Sequence, residues 1–357
     1  MTERLYLDHA ATTPMLPEAI DAVARGMALW ANPSSPHAEG RAARAALETA
    51  RTDIAAAYGW PGELLFTSGA SEALAIALRR STAPRVLISA VEHDAVIRAV
   101  PDADMLRVGT DGLVPLASVE RVLAGRPTLV AVQWANSETG VRQPIATIAD
   151  AVHAAGGLLL VDAAQMPAGV DPDVIAHADF IAISAHKRGG PPGIGALLVC
   201  DLATLLPTGG QERGYRAGTE NLPAALGFAA ALGMREDVVA MASLRARLDD
   251  AITRSGGMVV SSDVARHPAI GSYRMPGVAA ATQLIRFDMA GIAVSAGSAC
   301  SSGSMKPSHV LGAMGWSVEA SREVIRVSFG RGTGEADIDR FIREWRSVAR
   351  AVRAVAA

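Results

Sequence analysis

Cysteine is nearly missing from this chain of 357 residues, where it occurs only as Cys200 and Cys300. A disulfide framework is therefore excluded, and sparse cysteine without an export signal fits a reducing compartment. The opening residues, Met1-Thr2-Glu3-Arg4, have neither the basic stretch nor the apolar core of a signal peptide, so the cytoplasm is expected. Membrane-length apolar runs are also missing. The uncharged run Leu222 to Met234 is too short to span a bilayer and reads as a buried helix. Charge is sparse, at 19% of residues and a net charge of -3. That excludes a disordered chain and any general attraction to nucleic acid or an anionic membrane. There is no internal repeat and no low-complexity linker, and no metal site is expected.

Half of the residues are hydrophobic, with Ala, Gly and Val prominent. The length suggests two domains with a substantial core. From Leu64 to Cys200, apolar strand-like runs alternate with helical ones. The strands are expected at Leu64–Thr67, Arg85–Ser89, Thr128–Trp134, Leu158–Val161, Phe180–Ile183 and Ile194–Cys200. The helices are expected at Glu39–Tyr58, Glu72–Arg80, Ala95–Val100, Leu116–Leu123 and Ile145–Ala155. Several strands are apolar throughout, so both faces of the sheet are covered. This is the pattern of an α/β fold whose large domain has a mainly parallel sheet covered by helices. After Arg235 the pattern changes to a smaller α+β domain. It has a helix at Asp237–Arg254 and strands at Met258–Ser261, Gly271–Arg274, Ile292–Ser295 and Val324–Phe329. In its last helix Ile338, Phe341, Trp345, Val348, Val352 and Val355 share one face. Residues 14–235 are read as the large domain, and 1–13 with 236–357 as the small one.

In parallel sheets, ligands bind beyond the carboxyl ends of the strands, and the chemistry-bearing residues sit there. Gly69-Ala70-Ser71 lies between a strand and a helix, a junction that aims amides and a helix dipole at an anion, though many tight turns look the same. Asp162 at a strand end reads equally as a partner for a protonated ring nitrogen or as a helix N-cap. His93 reads as a stacking ring or as a structural histidine. Asn136 and Gln165 are ordinary polar residues when taken singly. Lys187, in Ser184-Ala185-His186-Lys187, follows a buried strand and precedes the Gly/Pro-rich loop Arg188–Gly193. Burial lowers a lysine pKa, which suits a Schiff-base lysine, although alone it reads as well as a residue emerging into solvent. Together, a phosphate cradle, a ring-nitrogen carboxylate, a stacking ring and a Schiff-base lysine describe the site of a pyridoxal 5'-phosphate enzyme.

These residues carry a resemblance. Asn32-Pro33-Ser34-Ser35, Thr67-Ser68-Gly69-Ala70, Glu92-His93, Val161 to Gln165, Ser184 to Lys187 and Gly218-Thr219 resemble the class V aminotransferase family. Ala296 to Gly303, around Cys300, resembles the catalytic loop of the cysteine desulfurases within it. The resemblance runs from about Leu5 to Gly330 and implies the fold-type I architecture. It implies that Lys187 holds pyridoxal phosphate as a Schiff base, with His93 stacked on the ring and relaying protons. It places Asp162 on the ring nitrogen and Gln165 on the phenolic oxygen. Ala70, Ser71, Ser184 and His186 would hold the phosphate, joined by Thr219 from the second subunit of a homodimer. Asn136 and Arg326 would take the substrate carboxylate. Alternation along Val324–Phe329 puts Arg326 and Ser328 on one face, while Arg331 reads equally as a solvated surface charge.

The chemistry so implied converts L-cysteine to L-alanine. Lys187 takes the Cα proton, and the Cys300 thiolate, the reactive form, takes the substrate sulfur as a persulfide. Gly297 and Gly303 suit a loop that swings to a sulfur-acceptor protein. The acceptor would be an iron–sulfur cluster scaffold, a sulfur-relay protein or a tRNA-modifying enzyme. Alternative readings are a selenocysteine lyase, an aminotransferase or a non-catalytic scaffold of the same fold. Cys200 is expected in the core. The chain departs from the family pattern at Ala75, at Ala217 and at Arg188-Gly189, where larger apolar residues are usual, so a looser loop is expected after Lys187. It also ends soon after its last helix, where scaffold-docking relatives often carry a longer tail.

Overall fold

The computed structural model describes residues 4–297 and 307–356, with side chains as far as Ala351. Cys300 and Gly303 lie outside the described residues, as do the side chains of Val352 and Val355.

The chain begins with β1 (Leu5–Tyr6), α1 (Pro17–Ala28), α2 (Ala38–Tyr58), β2 (Glu63–Thr67) and α3 (Ala70–Arg80). It continues with β3 (Val86–Ser89), α4 (Asp94–Ala99), β4 (Asp104–Leu106), α5 (Leu116–Leu123) and β5 (Leu129–Gln133). Next come α6 (Ile145–Ala154), β6 (Leu158–Asp162), α7 (Pro172–His177), β7 (Phe180–Ser184), β8 (Gly195–Val199) and α8 (Leu222–Gly233). The remainder holds α9 (Val238–Arg254), β9 (Met258–Val259), β10 (Ile270–Arg274), α10 (Ala280–Met289) and β11 (Ile292–Ala293). It closes with α11 (His309–Ala313), α12 (Val318–Ser321), β12 (Val324–Ser328) and α13 (Glu335–Ala356).

Among the described residues, one sheet has seven strands in the order β2-β8-β7-β6-β5-β3-β4. The run from β4 through β3, β5 and β6 to β7 is parallel, and β8 lies antiparallel between β7 and β2. The expected mainly parallel sheet is present, and its parallel strands deliver their carboxyl ends to one edge. Strand alternation sorts the core into two layers. Phe66, Val132, Val161 and Ile183 pack against α2, α5, α6 and α8. Leu65, Ile88, Leu160 and Phe180 pack against α3 and α4 on the opposite face. A further core gathers Leu248, Tyr273, Phe287, Phe341 and Trp345 around the antiparallel sheet β12-β10-β9. The N-terminal β1 pairs with β11, not with the seven-stranded sheet.

Several boundaries differ from expectation for local reasons. The strand at Met258 stops at Val259 because Ser261 takes a left-handed φ of 51°. The strand at Ile292 stops at Ala293, and Ser295 forms only an isolated bridge to Arg326. The edge strand β4 is three residues long with two exposed, which leaves no apolar run to read. Cys200 is exposed and not in the core, because β8 ends at Val199 and Cys200 is the first residue beyond it.

Phe341 is fully buried and stacks on Phe287 with ring centroids 4.9 Å apart. Phe341→Ala is expected to destabilise the protein by about 3–5 kcal/mol, read from the denaturant midpoint at unchanged slope.

Candidate active site

The carboxyl ends of β2, β3, β5, β6 and β7 open into a cavity of about 430 Å³. The turn after β2 forms its first wall. Gly69, the N-cap of α3, has φ 152° and ψ 174°, a region essentially closed to side chains. The turn is crowded from below, since a Cβ on Gly195 of β8 would come 2.7 Å from the Gly69 Cα. Two glycines therefore let the start of α3 face the cavity with Ala70 and Ser71, whose amides have no intrahelical acceptor. Ser184 and His186, at and beyond the end of β7, line the same cavity.

Asp162 ends β6 with 8% of its surface exposed, and its Oδ1 accepts the Ala164 amide at 2.9 Å. The cap and the cavity wall are thus one carboxylate, so both sequence readings of it hold. Gln165 is buried, and its Nε2 donates to Ala10 O at 3.0 Å. Its Oε1 has no partner. His267, which sequence reasoning missed, holds the Gln165 main chain. Its Nδ1 accepts the Ala269 amide and its Nε2–H donates to Gln165 O, both at 2.9 Å. His93 caps α4 by accepting the Ala95 amide at Nδ1, which leaves the Nε2–H on the other edge of the ring. Behind it, fully buried Glu92 is pushed up to about 8, first by desolvation and then by Asp162.

Lys187 lines this cavity and a second one of about 970 Å³ that opens beside it. Its amine is lowered to about 8. Desolvation is the main cause, Arg326 and Arg188 add to it, and Asp162 and Asp8 oppose it. His186 is lowered to about 4 by burial and by the cations of Lys187 and Arg188, so it is neutral at pH 7. The pull of burial and Lys187 likewise lowers His93.

The second cavity is where Asn136 and Arg326 lie. Asn136 spends its side chain on its own loop, with Oδ1 accepting the Glu138 and Thr139 amides and Nδ2 donating to Val91 O. Arg326 is anchored by Asp8 at 2.7 Å and by Ser137 O at 2.9 Å, while its Nε is buried without a partner. Asp8, for which the sequence offered no role, thus orients this guanidinium. The far wall is His309, donating to Glu92 O at 3.0 Å, next to Ser308, bonded to Glu138 at 2.5 Å. Thr219 is exposed and stands apart from the lining of both cavities. The Cys300 position lies outside the described residues.

The donor set fits pyridoxal phosphate. A glycine-opened helix start offers its amides to an anion, a carboxylate and an orphaned amide oxygen stand on the wall, and an amine of lowered basicity meets them. The Aminotransferase class-V family model matches residues 5–341. The cysteine desulfurase of Cereibacter sphaeroides is 36% identical, over 95% of this chain and 94% of that protein. The solved structure of a NifS-like protein from Rickettsia africae has a TM-score of 0.89 at 31% identity, covering 98% of this chain and all (100%) of that one. A structure of SspA in complex with cysteine has a TM-score of 0.78 at 29% identity, covering 92% of this chain and 99% of that one.

Because the Lys187 amine is near 8 in the folded chain and 10.5 ordinarily, the unfolded chain binds the extra proton between those values. Stability therefore rises with pH across that window and is reduced below it. In cofactor-free protein, Lys187→Met is expected to stabilise by about 1–3 kcal/mol at pH 7, the gain shrinking from pH 8 to 10.5. Chemical denaturation across that range checks it.

Proposed function

The chain belongs to the class V aminotransferase family, and from that premise we propose that it is a cysteine desulfurase using pyridoxal phosphate. The observation that carries this reading is the meeting of Lys187, Asp162, Gln165 and the start of α3 in one cavity, with Arg326 a short way beyond. When bound, the cofactor supplies an electron sink for the Cα of the amino acid.

The chain's own groups divide the remaining work. Lys187 holds the cofactor and then, as a free amine, takes the Cα proton. With the cofactor bound, Asp162 would accept from the ring nitrogen, Gln165 would bond the phenolic oxygen, and His93 would stack on the ring and pass protons. The amides of Ala70 and Ser71, with Ser184 and His186, receive the phosphate. Thr219 joins them from the second subunit of a homodimer, which accounts for its exposed position here. Arg326, with its unpaired Nε and its Asp8 anchor, binds the substrate carboxylate across from Asn136. The Cys300 thiolate attacks the substrate sulfur. An S–S bond forms as the Cβ–S bond breaks, and a proton delivered to carbon completes L-alanine. Sulfur is oxidised and carbon reduced, so no outside oxidant is needed.

We assign residues 14–235 to cofactor binding and 1–13 with 236–357 to a second domain that carries Cys300. The persulfide passes to an acceptor protein for iron–sulfur cluster assembly or thio-modification, in the cytoplasm. No helix among the described residues is long and apolar enough to cross a membrane.

With L-cysteine and a thiol reductant, the purified protein is expected to release alanine and sulfide in equal amounts. Cys300→Ala is expected to lose both by at least ~100-fold while keeping the cofactor's visible absorbance. Full alanine production by Cys300→Ala would overturn the persulfide route and move the reading to a selenocysteine lyase or another class V activity.

A further inference from the structure

The main chain that carries Lys187 is held from outside at four successive carbonyls. Thr13 donates its N–H to His186 O at 2.9 Å and its hydroxyl to Lys187 O at 3.2 Å. Arg331 Nη1 donates to Arg188 O and the Leu16 amide to Gly189 O, both at 2.9 Å. Gly189 turns with a φ of 80°, and a Cβ there would come 2.7 Å from Leu16 Cγ. The loop expected to be loose is instead tightly bound, and Arg331, half expected on the surface, is one of the groups that binds it.

Arg188 turns inward and is only 5% exposed. Its Nη1 stands 2.9 and 3.1 Å from the two oxygens of Glu236, and Arg331 Nη2 stands 3.2 Å from the same Oε1. Arg331 Nε also donates to Met234 O at 3.0 Å. Two guanidinium groups thus share one carboxylate, leaving one surplus positive charge around a small void that Lys187 also lines. The imidazoles lining that void add no charge, since burial lowers His9 to about 4 and His267 to about 3. A buried ion cluster of this kind contributes little net stability, so its placement against the lysine is the feature to explain.

We propose that Arg188 is a positioning residue for Lys187: with Glu236 and Arg331 it fixes the loop that presents the amine and keeps a surplus positive charge beside it. Its consequence is a less basic amine, with a larger free fraction at neutral pH, and its use in catalysis rests on Lys187 being the cofactor lysine. The charges that face the amine come from four places. Asp162 of β6 and Asp8 near β1 favour its proton; Arg326 of β12 and Arg188 oppose it. The His93 and His186 imidazoles beside it are both lowered by its charge.

Lys187 and Lys306 are the only lysines in the chain, so the amine can be titrated in place. Cofactor-free protein is labelled with trace acetic anhydride across pH 6–11 (roughly the span of a lowered and an ordinary lysine), and each lysine is read by mass spectrometry. Arg188→Met is expected to move the Lys187 midpoint upward and slow its labelling at pH 7 several-fold, with Lys306 unmoved. Each pKa unit cuts the free amine about tenfold. If that variant does not fold, Arg188→Gln, which keeps an amide donor for Glu236 and likewise removes the surplus charge, is expected to show the same upward movement. An unmoved Lys187 midpoint in either folded variant overturns the proposal. Neither cofactor nor cysteine is present in the assay, so its failure leaves the desulfurase reading standing, and failure of that reading leaves this result standing.

Discussion

The desolvation of one amine is the constraint on which the rest of this structure depends. A lysine just past a buried strand loses part of its hydration, and that cost favours the neutral form. The loss is tolerable only if the main chain beneath it cannot drift back toward solvent. Here the carbonyls from His186 to Gly189 are each taken by a donor from Thr13, Leu16 or Arg331. The N-terminal segment therefore has a task beyond its short pairing with β11: it holds the floor of the site.

The seven-stranded sheet supplies the convergence. Parallel strands end on one edge, so Ser184, Asp162 and His93 arrive together although they are far apart in the chain. Electrostatics then separates their roles. Lys187, His93 and His186 are all biased against carrying a proton, chiefly by burial, with the Lys187 charge adding to it at both histidines and Arg326 and Arg188 adding to it at Lys187. The buried Glu92 is biased toward keeping one. Asp8 and Ser137 O hold the Arg326 guanidinium at the edge of the neighbouring cavity.

Much of this was legible in the sequence. Runs such as Leu158–Val161 and Phe180–Ile183 are apolar on both faces, and only a doubly covered sheet uses such strands. The groups at the strand ends could be read for the same reason, since a polar residue just past such a run has nowhere to go but the sheet edge. The supporting residues were not legible. His267, Thr13 and Asp8 act through contacts with residues more than 100 positions away, and no local pattern marks them. Arg188 looked like a departure that would loosen the loop; its partner Glu236 lies 48 positions on. Cys200 was misplaced because one residue separates the end of a buried strand from open solvent. Strand β4 left no trace because an exposed three-residue edge needs no apolar alternation.

The central claim is that Lys187 is the lysine to which these strand ends bring the cofactor. The measurement that tests it most directly is to mix cofactor-free protein with pyridoxal phosphate, reduce with borohydride and locate the added mass among the chain's lysines. Stoichiometric modification of Lys187 is expected, with Lys306 left free. Modification of Lys306 instead, or none at saturating cofactor, would contradict it.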